Sequence, residues 1–107
     1  MKQKLDYKNH VKKILHVVQE LAPGRSVELR IPPYAVIQCV EGGNHRRGTP
    51  SNVVEMSGET LINLAQEPSK WANFCRQGLI SASGTNSDLS EIFQRVSKLI
   101  SSPEGIN

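Results

Sequence analysis

Apolar residues recur along this chain in blocks whose period changes from helical to extended and back. Val11, Ile14, Leu15, Val18 and Leu21 fall at helical spacing, with Lys12, Lys13, Gln19 and Glu20 on the other faces. This predicts an amphipathic first helix. Pro23-Gly24 ends it, because proline cannot extend a helix and glycine accepts the left-handed exit. Residues 27–31 then alternate, with Val27, Leu29 and Ile31 on one face of a strand and Glu28 and Arg30 on the other. Tyr34–Val40 is a denser β-run that reads as covered on both faces for most of its length. Pro32-Pro33 between the two runs marks a turn or a kink, since neither residue can donate to a ladder.

The stretch 41–52, rich in Gly and Asn and holding Pro50, reads as a loop, and Asn52–Met56 as a third strand. Ser57 has the chemistry of an N-cap, with Glu59 in the first turn of the helix it would start. Leu61, Leu64 and Ala65 give that short helix an apolar stripe. Pro68 suits the first position of a second short helix carrying Trp71, Phe74 and Cys75 on one side. A strand over 79–83 follows, then a final helix capped by Asn86 or Ser87 and bearing Leu89, Ile92, Phe93, Val96, Leu99 and Ile100. Residues 102–107 read as a loose tail. The order α-β-β-loop-β-α-α-β-α predicts an α+β layer with an antiparallel or mixed sheet.

Two features of this pattern need explaining. The strand at 79–83 is fenced by Gly78 and Gly84 and is slim inside, with Ser81, Ala82 and Ser83 where a core strand usually carries Val or Ile. Gly78 fits a positive-φ helix exit, and Gly84 an abrupt turn toward the last helix. Ile80 and Ala82 are expected to face the helices, the small Ala82 leaving room for a ligand or for Trp71 and Phe74. The final helix is the second feature. Burying one large apolar side chain contributes roughly 1.5–3 kcal/mol, so its six together rival the roughly 5–15 kcal/mol net stability of a domain. It must close over the sheet, a cavity or a partner.

Composition narrows the class. With 107 residues the chain fits one domain: a helical segment 1–24, the sheet and remaining helices over 25–101, and the tail. Net charge is +3, and residues 1–30 hold seven Lys/Arg against three acids. The basic excess therefore belongs to the first helix, where a solvated face is the default reading. Cys39 and Cys75 lack metal-type spacing and read as small buried hydrophobes of a reducing compartment. No apolar run is long enough to span a bilayer, so a cytoplasmic, soluble protein is expected.

The ordered set "NVVEMS", "ETLINLAQ", "PSKWANFCRQ", Gly78–Gly84 and "SDLSEIFQRVSKLI" resembles the sterol carrier protein 2 family. "VELRIPPYAVIQCVEG", "RGTPSNVVE", Trp71-Ala72 and "SASGTNSDLS" look like its short actinobacterial members, and the likeness covers most of residues 24–93. The resemblance implies a four- to five-stranded, mainly antiparallel sheet with helices on one face, enclosing an apolar tunnel for a lipid or other apolar small molecule. The implied lining is Leu61 and Leu64, then Trp71, Phe74, Ile80 and Ala82, then Ile92, Phe93 and Val96 of the last helix. The competing account of this apolar set is an ordinary packed core. The resemblance also supplies a second functional reading, an accessory interaction module with a solid core that associates with itself or with a partner enzyme.

Polar chemistry is sparse. His45, Arg46 and Arg47 form the sharpest cluster, an anion clamp for a carboxylate or phosphate head group. The plainer account is a solvated hairpin loop. His10 and His16 lie six apart on different helix faces, so no metal site is expected. Cys75 has Arg76 beside it, a neighbour that lowers a thiol pKa, but no histidine partner. No nucleophile–base pair and no G-x-S-x-G elbow occurs, so neither an enzyme nor a cofactor is expected. Lys4, Lys8 and Lys12 form a stripe suited to transient contact with anionic membrane head groups. Nucleic acid is not expected, because aromatics for base stacking are lacking there beyond Tyr7.

Overall fold

The computed structural model describes residues 2–42 and 52–101, with side chains from Asp6 onward. Helix α1 (Lys2–Leu21) leads into strands β1 (Val27–Ile31) and β2 (Ala35–Cys39). Strand β3 (Asn52–Met56) is followed by α2 (Gly58–Gln66), a 3₁₀ turn (Pro68–Lys70) and α3 (Trp71–Arg76). Strand β4 (Ile80–Ser83) and α4 (Ser90–Ser101) complete the order. The tail expected at 102–107 lies outside the described residues.

The strands form one sheet in the order β2-β1-β3-β4. β1 and β2 are an antiparallel hairpin with Ile31 opposite Ala35, and β3 and β4 are antiparallel with Met56 opposite Ile80. The central pair β1–β3 is parallel, with Leu29 opposite Val54. The sheet is thus mixed and mainly antiparallel, within an α+β architecture. A fifth strand is not found among the described residues.

The turn-or-kink at Pro32-Pro33 is a turn. Its peptide is cis, and the Tyr34 N–H donates to Ile31 O at 2.8 Å. Tyr34 therefore belongs to the turn and not to β2, and its ring meets Tyr7 of α1 edge-on at 5.5 Å. At the other end of the hairpin Val40 has φ +67°, rare for a β-branched residue. Two backbone bonds hold it there: its N–H donates to Ala22 O at 2.7 Å, and its carbonyl accepts from Ser26 N at 2.9 Å.

The helices cover one face of the sheet. Val27, Leu29 and Ile31 are wholly buried on that face, as the alternation of β1 predicts. On the opposite face Arg30 Nε lies 2.6 Å from Glu28 Oε1, and its Nη1 4.0 Å from Glu55 Oε1. The expected double coverage of β2 is not what forms. Val36, 57% exposed, and Gln38 lie in the open, because they pair with Arg30 and Glu28 on the face that the helices leave uncovered.

Ser57 caps α2 as its chemistry requires, its Oγ accepting from Thr60 N at 3.0 Å. α4 starts differently from expectation. Asp88 Oδ1 accepts from Ser90 N at 2.9 Å, while Ser87 Oγ donates back to Gly84 O at 2.9 Å and Asn86 bonds elsewhere. Of the six large apolar side chains at 89–100, Leu89, Phe93 and Val96 are fully buried. Ile92 and Ile100 are half-buried, and Leu99 is 37% exposed. Even three such burials contribute roughly 1.5–3 kcal/mol each, enough to pin the helix to the core.

Candidate functional site

The expected lining residues converge from four elements. α2 brings Leu61 and Leu64, α3 brings Trp71 and Phe74, β4 brings Ile80, and α4 brings Phe93 and Val96. All seven are buried members of one apolar cluster that also takes in the inner face of α1 and the sheet. Ile92 packs at its margin, half-buried.

Ala82 departs from this set. Its ladder partner Val54 is fully buried, so the two share the helix-facing side of the sheet, yet Ala82 is exposed. β4 is the terminal strand, and the helices stop short of its second half. The room that a small residue leaves at this position opens to water instead of lying beneath α4.

Within the cluster the indole of Trp71 stacks on the ring of Phe93, with centroids 6.4 Å apart and planes at 26°. Trp71 is 8% exposed and Phe74 9%, whereas Phe93 is sealed. The aromatic pair thus occupies the space between α3 and α4, with the indole on the outer side. Trp71 follows directly on the 3₁₀ turn opened by Pro68. That geometry lets the chain swing from α2 and aim the indole at α4.

Among the depressions on the described surface, two lie away from the Trp71–Phe93 pair. An open groove of about 440 Å³ runs between Gln66–Ser69 and Gln94, Ser97 and Lys98 of α4. A smaller hollow of about 110 Å³ lies between α1 and the end of α4, with Ile14 and Ile100 as its floor and His10 and Lys13 at its rim. Neither is lined by a residue of the expected apolar set. The groove's amides and hydroxyls carry no periodic signal, and only the packing of α4 against the 3₁₀ turn brings them together.

The thiols stay protonated near neutrality. Burial pushes Cys39 up to about 11. Cys75 is also raised, by burial first and by Asp88 second, and these outweigh the lowering by Arg76 that its neighbourhood in sequence suggested. Tyr7 is raised as well, by burial first and then by Tyr34 and Glu59. Among the described residues no cluster of three or more His, Cys, Asp or Glu is placed to hold a metal ion. No helix among them is long and apolar enough to cross a membrane.

His45, Arg46 and Arg47 lie outside the described residues. The strand that their loop enters is held by a polar junction that sequence reading missed. Asn52 is buried, and its Nδ2 donates to Ser26 O at 2.9 Å. Its Oδ1 accepts the Asn86 backbone N–H at 2.8 Å, and Asn86 Nδ2 donates to Ser26 Oγ at 3.2 Å. The α1–β1 connection, the first residue of β3 and the β4–α4 connection are tied together here. An asparagine opening a strand was the only trace in the sequence.

Compared with known protein families, residues 3–94 of the chain match the family described as bacterial SCP ortholog. A search of curated proteins returns no significant match.

Proposed function

Because the chain belongs to the bacterial SCP-ortholog family, the sterol-carrier relatives that its motifs resemble, we propose that it is a non-enzymatic carrier for a long apolar ligand, a fatty-acyl or sterol-like molecule. The observation that carries this reading is the Trp71–Phe93 stack. One side chain from a short helix closes over a sealed aromatic floor, so a ligand enters by displacing Trp71 and taking its place on Phe93. Leu61, Leu64, Phe74, Ile80, Ile92 and Val96 then flank the chain.

Magnitudes set the kind of ligand. A buried aromatic covers about 150–250 Å², so expelling Trp71 costs about 4–6 kcal/mol at 25 cal/mol per Å². Each buried methylene returns about 0.8 kcal/mol. Roughly five to eight methylenes are needed to break even, before the cost of immobilising the ligand. Long chains bind and short ones do not. His45, Arg46 and Arg47 are assigned to the ligand's carboxylate or phosphate on their chemistry alone.

A second reading rests on the same stack: the interior is already full, and the domain is an accessory interaction module without a lipid. Trp71 is the only tryptophan, so its fluorescence separates the two. Delipidated protein titrated with a C16 fatty acid should show a shift in Trp71 emission, and native mass spectrometry should show one retained acyl chain. Octanoate should produce neither. An emission spectrum unmoved by micromolar C16 acid, with no retained mass, rejects the carrier and leaves the module.

A further inference from the structure

Among the described residues, nothing pairs with the β4 edge of the sheet. β4 ends the strand order and pairs with β3, and its outward N–H and C=O groups have no ladder partner among the described residues. Among the described residues no other hydrogen bond, backbone or side chain, involves Ile80–Ser83. Ser81, Ala82 and Ser83 are exposed, Ala82 even on the side that helices cover elsewhere, and Leu79 just before them is 45% exposed.

Proteins usually guard such an edge with a lysine, a proline, a bulge or a covering helix. Among the described residues none of these is present, and the shortness of β4, four residues, is the one guard it has. The register with β3 runs without a bulge. Gln77–Ser87 holds neither proline nor charge, and its eleven residues are the longest uncharged run of a chain that is 21% charged.

We propose that β4 pairs edge to edge with β4 of a second copy, antiparallel about a two-fold axis, joining two four-stranded sheets into one. The charge distribution selects this occupant. In a two-fold pair the residues near the axis meet themselves or close neighbours, and like charges directly opposite are destabilising. A neutral edge meets its own copy without that penalty, whereas a charged peptide would find no counter-charge along it. The chain's basic excess sits in residues 1–30, chiefly on α1, which packs beside β2 at the other end of the strand order formed by the described residues. Two copies joined through β4 therefore keep their basic helices apart. With four strand residues from each copy, the contact is of the weak, transient size class.

Sedimentation velocity on the full chain from about 10 µM to about 1 mM, the range of weak interfaces, should show a reversible monomer–dimer equilibrium. Amide exchange at Ser81–Ser83 should slow as concentration rises. Ala82→Lys and Ala82→Glu, each folded by circular dichroism, should stay monomeric, and an equimolar mixture should recover the dimer. A wild type that stays monomeric throughout overturns the proposal, as do charged variants that associate like wild type. If the variants fail to fold, concentration-independent exchange at Ser81–Ser83 in the wild type overturns it alone. Capture of an extended peptide by a strictly monomeric chain would assign the edge to another protein and refute self-pairing. None of these readouts involves a lipid, so the carrier reading stands or falls separately.

Discussion

The side-chain oxygen of Asn52 accepts the backbone N–H of Asn86 at 2.8 Å, joining the first residue of β3 to the loop before α4 across 34 positions of sequence. The other half of the amide holds Ser26 O, so both ends of a buried group are satisfied. Asn52→Ala strands the Ser26 carbonyl and releases the Asn86 loop. The expected loss is about 1–3 kcal/mol, read as a fall in the midpoint of urea unfolding at unchanged slope. Asn52→Asp keeps the acceptor for Asn86 but sets a buried carboxylate oxygen against Ser26 O, and near neutral pH should cost at least as much as Asn52→Ala.

Two glycines with positive φ should respond very differently to alanine. Gly24 (φ +145°) lies against the backbone of Val40, and an added Cβ would come within 2.2 Å of the Val40 carbonyl. Gly78 (φ +78°) has nothing within 4 Å of that position. Gly78→Ala should cost only the left-handed penalty, about 1–2 kcal/mol. Gly24→Ala forces the α1–β1 connection off the hairpin and should exceed about 3 kcal/mol or prevent soluble expression. Thermal unfolding of the pair checks the order, and a smaller loss at Gly24 would refute it.

Phe93→Ala removes the floor beneath Trp71 and should cost about 3–5 kcal/mol, with a red shift in Trp71 emission as water reaches the indole. Ala82→Phe is the counterpart. Because Ala82 is exposed, the larger ring should change stability by no more than about 0.5 kcal/mol. A loss of several kcal/mol there would mean that the edge of the helix layer is closed over β4.

Cys39 gives a pH signature. Its thiol titrates at about 11 in the fold because burial disfavours the thiolate, against about 8.5 in an unfolded chain. Between these values the unfolded state has lost its proton and the native state has not, so stability is complete below about pH 8.5 and falls as pH rises toward 11. Urea midpoints measured from pH 8 to 10.5 should decline, and Cys39→Ala should flatten that part of the slope. At pH 8, with both thiols raised, the half-buried Cys75 should still react with a thiol reagent well before the sealed Cys39.

What the sequence determined by itself was everything that repeats within one element. The spacing from Val11 to Leu21 placed α1, the alternation of Val27, Leu29 and Ile31 chose the buried face of β1, and Ser57 set the start of α2. Gly78 and Gly84 marked where the chain leaves a helix and a strand, and both have positive φ. Such signals are local, because they depend on dihedral preference and on which face meets water. Only the tertiary structure decided what depends on residues far apart in the chain. Asn86 does not cap α4: its backbone is held by Asn52 and its side chain by Ser26 Oγ, and the capping bond falls to Asp88. Ala82 is exposed because β4 lies at the end of the strand order, a fact of topology that no residue of β4 encodes. That Trp71 of α3 stacks on Phe93 of α4, 22 positions away, was likewise set by packing and not by any local pattern.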